Sequence, residues 1–273
     1  MINIDTFLEI GDQHKVCEDY IVSGVDPVPY IILSDGCSTA NNSEMGSRLL
    51  CHLAKQYLKY NADQVIDYWN LGHWVIYNAE QTIRQLGLSR TCLTATLIVA
   101  YQIEDNVRIM MYGDGSYITV AKSGIINITT VEYTNNAPYY LVYLIDQYRE
   151  DLYHKAGNMK TVTTYYEDGS ESKEEFAYDH ALEYGVNTKV YPNLLIASDG
   201  IDSFLKKDGS STIHLRAENI IHPCVAFKNM KGEFLKRRLN KQMKVYNKEG
   251  ITHFDDLSVG AFIDEVVQWT LLM

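Results

Sequence analysis

Three apolar segments of this chain each end in aspartate followed by glycine: YIILSDG closing at Asp35-Gly36, VRIMMYGDG at Asp114-Gly115 and LLIASDG at Asp199-Gly200. Each reads as a strand, and a single Asp-Gly after a strand is ordinarily a turn, because both residues accept turn geometry. Three of like character constrain the fold more tightly. If the strand ends lie together, the carboxylates meet at one edge of the core, and each glycine lets backbone approach a ligand closely. Two more acidic pairs stand at strand boundaries, Glu18-Asp19 before Tyr20–Val22 and Asp255-Asp256 before the last apolar run. Carboxylates crowded in a partly buried site repel one another and take up protons unless a cation offsets their charge. An all-oxygen set without a Cys or His cage points to Mg²⁺ or Mn²⁺ rather than zinc.

Between these corners lie further strand candidates at Thr94–Tyr101 and Tyr117–Ala121, and the last strand at Leu257–Ile263. Two helices are expected early. Ser43 to Tyr60 carries Met45, Leu49, Leu53 and Tyr57 every four residues, with Asn41 and Glu44 at capping-box spacing. A second runs from about Asp63 to Leu86, with Trp69, Ile76 and Ile83 on one stripe and Gly87 as the stop. Late in the chain, residues 228–244 place Leu235, Leu239 and Met243 at helical spacing in a basic stretch. That stretch reads as a solvated amphipathic helix, or alternatively as a docking surface for an acidic or phosphorylated partner. Strands in clusters with helices between them suggest sheets layered with helices, not a regular βαβ alternation. Residues 127–193 are more polar and read as an elaboration on one domain spanning 1–273, with Asp168-Gly169 turning a hairpin between Thr161–Tyr166 and Phe176–Tyr178.

Composition removes several function classes. A net charge of −11 disfavours a nucleic-acid partner, which needs surplus Lys and Arg. No apolar run approaches the length of a membrane span, and the first residues lack a basic stretch followed by an apolar block. Cys17, Cys37, Cys51, Cys92 and Cys224 are scattered and form no C-x-x-C pair, so reduced thiols in a cytoplasmic protein are expected. None is followed six residues on by arginine, as a cysteine phosphatase requires; those positions hold Ser23, Ser43, Tyr57, Ile98 and Met230. Phosphate-loop, zinc-protease and serine-hydrolase motifs are absent. A metal nuclease could use the carboxylates, but the acidic balance and the lack of a basic groove oppose it.

The ordered set GDQHKVCEDY, ILSDGCSTANNSEMG, CLTATLIV, MMYGDGS, IASDG and DDLSVGAFI resembles the motif series of the protein phosphatase 2C family, and its bacterial branch in particular. The resemblance runs from Gly11 to Ile263. It implies an α+β fold, a four-layer α-β-β-α sandwich of two antiparallel sheets with a metal centre at one edge. It further implies two ions, Mn²⁺ or Mg²⁺, bridged by Asp35. The Gly36 carbonyl would serve one ion, Asp199 and Asp255 would complete the other, and Glu18 and Asp19 would bind the second directly or through water. Asp114 would belong to a weaker third site. The implied reaction is hydrolysis of phosphoserine or phosphothreonine in a protein, opposing a serine/threonine kinase.

Three positions depart from the family pattern. His14, with Lys15 beside it, stands where a phosphate-binding arginine is usual. Cys37 replaces the histidine that donates a proton in some relatives, which leaves the leaving-group acid unassigned. Ser203 occupies the place of a third-metal aspartate, and Asp202 sits one residue earlier. The expected catalytic set is therefore Asp35, Asp19 and His14. The alternative is a weak or inactive module that keeps the fold and binds phosphoproteins.

Overall fold

The computed structural model describes residues 2–61, 64–209, 211–227 and 229–264. The chain opens with β1 (Ile2–Glu9), β2 (Tyr20–Gly24) and β3 (Tyr30–Ser34), followed by helices α1 (Ser43–Asn61) and α2 (Tyr68–Gln85). Next come β4 (Leu97–Ile103), β5 (Asn106–Tyr112), β6 (Gly115–Val120), β7 (Ile126–Tyr133) and the short helix α3 (Gln147–Lys155). Then follow β8 (Met159–Tyr165), β9 (Glu171–Ala177), β10 (Leu182–Asn187), β11 (Asn193–Ala197), β12 (Phe204–Asp208) and β13 (Ser211–Leu215). Helices α4 (Ala217–Cys224) and α5 (Phe234–Lys248) precede β14 (Ile251–His253) and β15 (Leu257–Asp264). No described helix is long and apolar enough to cross a membrane.

Two antiparallel sheets carry the fold, one ordered β1-β15-β11-β6-β7-β8-β9 and the other β10-β5-β4-β3-β2. Period-two alternation sends each strand's side chains to opposite faces, and here both faces are covered. From β3, Ile31 and Leu33 meet Leu194, Ile196 and Phe262 of the facing sheet. Tyr30 and Ile32 point the other way, onto Leu50, Ala54, Leu71 and Val75 of α1 and α2. On the far side, Leu195 and Ala197 of β11 pack with Ile220, Leu235 and Leu239 of α4 and α5. The result is the expected helix–sheet–sheet–helix order. Double-sided burial explains why β3, β4 and β11 are almost unbroken apolar runs.

The early helices fall close to their expected ranges, but α1 turns a different face inward and α2 departs from its expected stripe at Trp69. In α1 the buried residues are Ser43, Gly46, Ser47, Leu50, Cys51, Ala54 and Leu58, while Met45 is 40% exposed. Small residues win this face because the helix lies tight against the chain: a Cβ on Gly46 would sit 1.7 Å from the Cys92 carbonyl oxygen. Asn41 makes no capping bond among the described residues. The helix is entered instead through Asn42, whose φ is 60° and whose carbonyl accepts from Met45 N–H at 3.1 Å. The expected start of α2 at Asp63 lies outside the described residues. Its cap is Asp67, which accepts the Asn70 N–H at 2.8 Å. Trp69 proves outward-facing, Ile76 and Ile83 are buried, and Gly87 ends the helix with a φ of +69°.

Residues 127–193, read as an elaboration, supply most of β7 together with β8, β9 and β10, three strands of one sheet and the edge of the other. The Asp168-Gly169 hairpin is present, with Asp168 accepting the Ser170 N–H at 2.9 Å. Its second strand begins at Glu171, earlier than expected, because Glu171–Glu175 is exposed and carries no apolar alternation. β1 escaped the strand signal for a similar reason. It is a mixed edge strand, held by eight register pairs to β15 from Ile2↔Asp264 to Glu9↔Leu257. A small third sheet, β13-β12-β14, was also not anticipated.

Candidate metal centre

Strand register brings the acidic corners together. Tyr20 of β2 pairs with Ser34 of β3, so the next residues outward, Asp19 and Asp35, leave neighbouring strands side by side. Thr96 fixes Asp35 from both sides: its Oγ1 accepts the Asp35 N–H at 3.0 Å and its N–H donates to the Asp35 carbonyl at 2.8 Å. From the other sheet, Ala197 of β11 pairs with Val259 of β15, which sets Asp199 beside the Asp255-Asp256 turn. Gly200 makes that approach possible, since a Cβ there would lie 1.8 Å from the Asp256 carbonyl oxygen. At this corner the glycine admits a close backbone-to-backbone contact. Asp114 sits where the chain crosses from one sheet to the other, between Gly113 and Gly115 with φ of +102° and +129°. Only glycine enters such backbone without strain.

The carboxylates are buried and short of partners. Asp19 is 1% exposed, and neither of its oxygens has a hydrogen bond. Asp199 Oδ1 is likewise unpartnered. Burial first, and the neighbouring Asp199, Asp19 and Asp114 second, push the Asp35 carboxyl well above the usual carboxylate range. Burial and then Asp199 do the same to Asp114. At Asp19, burial outweighs the nearby Ser258 and Ser198 hydroxyls, which favour the charged form without making a well-formed bond. Asp199 is pushed up to about 6 by burial and by Asp255. A buried acid surrounded by other acids and lacking hydrogen-bond donors is a costly arrangement for folding alone. Hard divalent cations fit this donor set, because they take carboxylate oxygens and remove the repulsion.

Beside this floor lies a clamp that the motif spacing did not reveal. Asp256 is also 1% exposed, but it is fully engaged: it accepts the Gly11 N–H at 2.8 Å and the Glu18 N–H at 2.6 Å. His14 stands 3.1 Å from the same carboxylate, 3.3 Å from Asp255 and 3.6 Å from Glu18. Burial lowers the His14 pKa, the three acids raise it, and the acids prevail. The residue expected to touch phosphate therefore turns its ring nitrogens toward carboxylates. His14, Glu18 and Asp256 also form a compact group of potential ligands. Glu18 is held by the Ser43 hydroxyl at 3.2 Å, and its backbone carbonyl accepts from Ser47 at 2.6 Å. Only glycine fits at 36, where a Cβ would come 2.9 Å from that carbonyl. The Asp255 carbonyl accepts from His253 Nδ1 at 2.8 Å.

A cleft of about 460 Å³ opens over Asp114, Asp199, Asp202 and Asp255. Asp202 caps α4, accepting the Ala217 N–H at 2.8 Å. Ser203 donates to the Gly200 carbonyl at 2.8 Å and accepts the Asp255 N–H at 3.3 Å, so it ties two corners together. Cys37 and the Tyr140 ring border a second cleft. The sequence offered no signal for the placement of Tyr140 or Ser43, and Ser203 stood out there only as a departure from the family pattern; their positions depend on tertiary proximity.

The family model described as "Protein phosphatase 2C" matches residues 11–243. The chain belongs to the protein phosphatase 2C family. Solved structures with this fold include the serine/threonine phosphatase Stp1 from Staphylococcus aureus, 14% identical with a TM-score of 0.58, covering 97% of this chain and 96% of that one. The Mycobacterium tuberculosis serine/threonine phosphatase PstP/Ppp is 14% identical with a TM-score of 0.55, over 96% of this chain and 98% of that one. PppA of Pseudomonas aeruginosa, described as a key regulatory component of T6SS, is 12% identical with a TM-score of 0.54, over 96% and 97%. No curated protein sequence matches the chain. At these identities the structural likeness carries the fold, and the family model carries the membership.

Proposed function

We propose that this chain is a metal-dependent serine/threonine protein phosphatase that hydrolyses phosphoserine and phosphothreonine in protein substrates. The observation that carries this reading is the buried, unpartnered oxygens of Asp19 and Asp199 among raised-pKa carboxylates at the edge of a family-typical sandwich. Asp35 would bridge two ions, with Gly36 carbonyl, Glu18 and Asp19 on one side and Asp199 and Asp255 on the other. Asp114 would serve a weaker third. When bound, Mn²⁺ or Mg²⁺ would supply charge neutralisation and an activated water for in-line attack on the phosphorus.

The chain's own residues then have separable tasks. Thr96 and Gly36 hold Asp35 rigidly at the centre. Asp256 pins the 11–18 loop, so that Glu18 and Asp19 keep fixed positions. His14 restrains Glu18 and Asp255 from the rim, and its part in the reaction is one of positioning more than phosphate contact. A cytoplasmic setting and an opposing serine/threonine kinase complete the proposal.

The test is turnover of a small phosphoester and a phosphothreonine peptide with Mn²⁺, with Mg²⁺ and with chelator. Activity with either ion that chelator removes is the expected result. Full activity after exhaustive chelation would overturn the metal reading, and phosphopeptide binding without turnover would favour the non-catalytic module.

A further inference from the structure

Helix α5 concentrates positive charge on an acidic protein. It carries Lys236, Arg237, Arg238, Lys241, Lys244 and Lys248 and no acid, in a chain with 35 Asp and Glu against 24 Lys and Arg. Its inner face is fully used, since Phe234, Leu235, Leu239, Gln242, Met243 and Tyr246 are buried. Asp5 caps its start, accepting the Leu235 N–H at 2.7 Å and the Lys236 N–H at 3.1 Å. The cations near that end are occupied within the chain. Lys236 pairs with Glu233 at 3.0 Å, Arg237 donates to the Lys231 carbonyl at 2.8 Å, and Arg238 donates to the Pro223 carbonyl.

Further along, Lys241, Lys244 and Lys248 are exposed and have no ion-pair partner among the described residues. Spacings of three and four residues align them on one stripe about 10 Å long, at 1.5 Å rise per residue. A second element extends it. The Lys207 N–H donates to the Gly250 carbonyl at 3.0 Å, which brings exposed Lys206 and Lys207 of β12 to the C-terminal end of α5. Glu249 is an exposed acid at that end.

We propose that this stripe docks an extended acidic segment of a partner protein. Charge complementarity selects the class, and shape selects the form. The outward face offers little to a bilayer, with Val245 the one large apolar side chain exposed there, at 37%. The chain as a whole carries a net charge of −11, which opposes a flat anionic membrane or a nucleic acid engaging a broad face, whereas a narrow peptide can follow the stripe alone. The metal centre plays no part in the contact, so the surface can be tested apart from turnover.

The experiment measures fluorescence anisotropy of a labelled ten-residue glutamate peptide against wild type, a Lys241→Glu/Lys244→Glu/Lys248→Glu variant and a Lys55→Glu/Lys59→Glu/Lys122→Glu variant of equal net charge. The expected result is salt-sensitive binding that falls at least about tenfold in the α5 variant and less than about twofold in the control. A matching Lys→Gln set is measured too, with thermal melting, in case charge reversal disturbs folding. Equal losses in both charge-reversed variants, or no binding by wild type, would overturn the proposal. So would binding to phosphatidylglycerol vesicles or single-stranded RNA in preference to the peptide.

Discussion

Asp19 and Asp256 are both buried to 1% exposure, yet they live in opposite circumstances. Asp256 receives two backbone N–H groups and stands beside His14; Asp19 receives no hydrogen bond at all. Burial alone therefore does not mark a functional acid. A carboxylate whose lone pairs are filled by the protein works for the fold, and one whose lone pairs are left open works for a ligand. The same contrast separates Asp202, spent on capping α4, from Asp199 three residues earlier.

That division can be broken experimentally, most severely at its centre. Asp35→Asn should lower phosphopeptide turnover by about a thousandfold or more while the melting temperature of the metal-free protein holds or rises. The amide leaves one oxygen ligand but removes a charge, and it relieves repulsion among Asp19, Asp114 and Asp199. Near-normal turnover in a folded variant would end the bridging role. Asp256→Ala should behave conversely, costing about 3 kcal/mol of stability in denaturant melts even without metal, because two buried N–H donors lose their acceptor. If Asp19→Ala destabilises the metal-free protein as much as Asp256→Ala, the distinction fails.

Acidity sharpens the comparison further. The raised carboxyls bind protons in the folded state that the unfolded chain, with ordinary carboxylates, has already released. Stability of the metal-free protein should therefore fall as pH rises through about 6, the Asp199 value, and recover on acidification from pH 7 to 5, by on the order of 1 kcal/mol or more. Saturating Mn²⁺ should reverse the slope, since acid then competes with the ion. Thermal melts across that range, with and without Mn²⁺, would read it. A metal-free protein whose stability rises from pH 5 to 7 would contradict it. The smallest effect is expected at Cys37, which lines the second cleft: Cys37→Ser should stay within about twofold of wild-type kcat. Loss of turnover in a folded, metal-binding variant would assign the thiol a chemical task.

The layer order of the fold and the acidic corners of the candidate site were both legible in the sequence. Asp35, Asp114, Asp199 and Asp255 announce themselves because apolar strands end abruptly in an acid and, at three of them, a glycine, or begin after a pair of acids. What they do to one another depends on register, and register between β2 and β3 or β11 and β15 is a long-range property that no local window contains. His14 illustrates the limit. Its place in the motif suggested a phosphate contact, but the loop that carries it is bent onto Asp256, and only the folded loop reveals three acids around the ring. The inward face of α1 was misread because Gly46, Ser47 and Ala54 look unremarkable beside Met45 and Leu53 in a hydrophobicity pattern. Close packing favours the small residues. β1 was missed, and the start of β9 was placed too late, for want of apolar alternation at sheet edges.

The crossing at Gly113–Gly115 has a mechanical consequence. Asp35 comes from one sheet, Asp199 and Asp255 from the other, and Asp114 from a segment that, like residues 10–19, crosses between them at this edge. A cation held by these four, as proposed above, would act as a rivet through both plates of the sandwich. Emptying it leaves like charges prising at the seam, while the opposite edge stays closed by apolar contacts such as Val107 and Val186 against the facing sheet. On that reading the acidic margin is the place where the two sheets would begin to part, and occupancy of the site would govern how the sandwich resists opening.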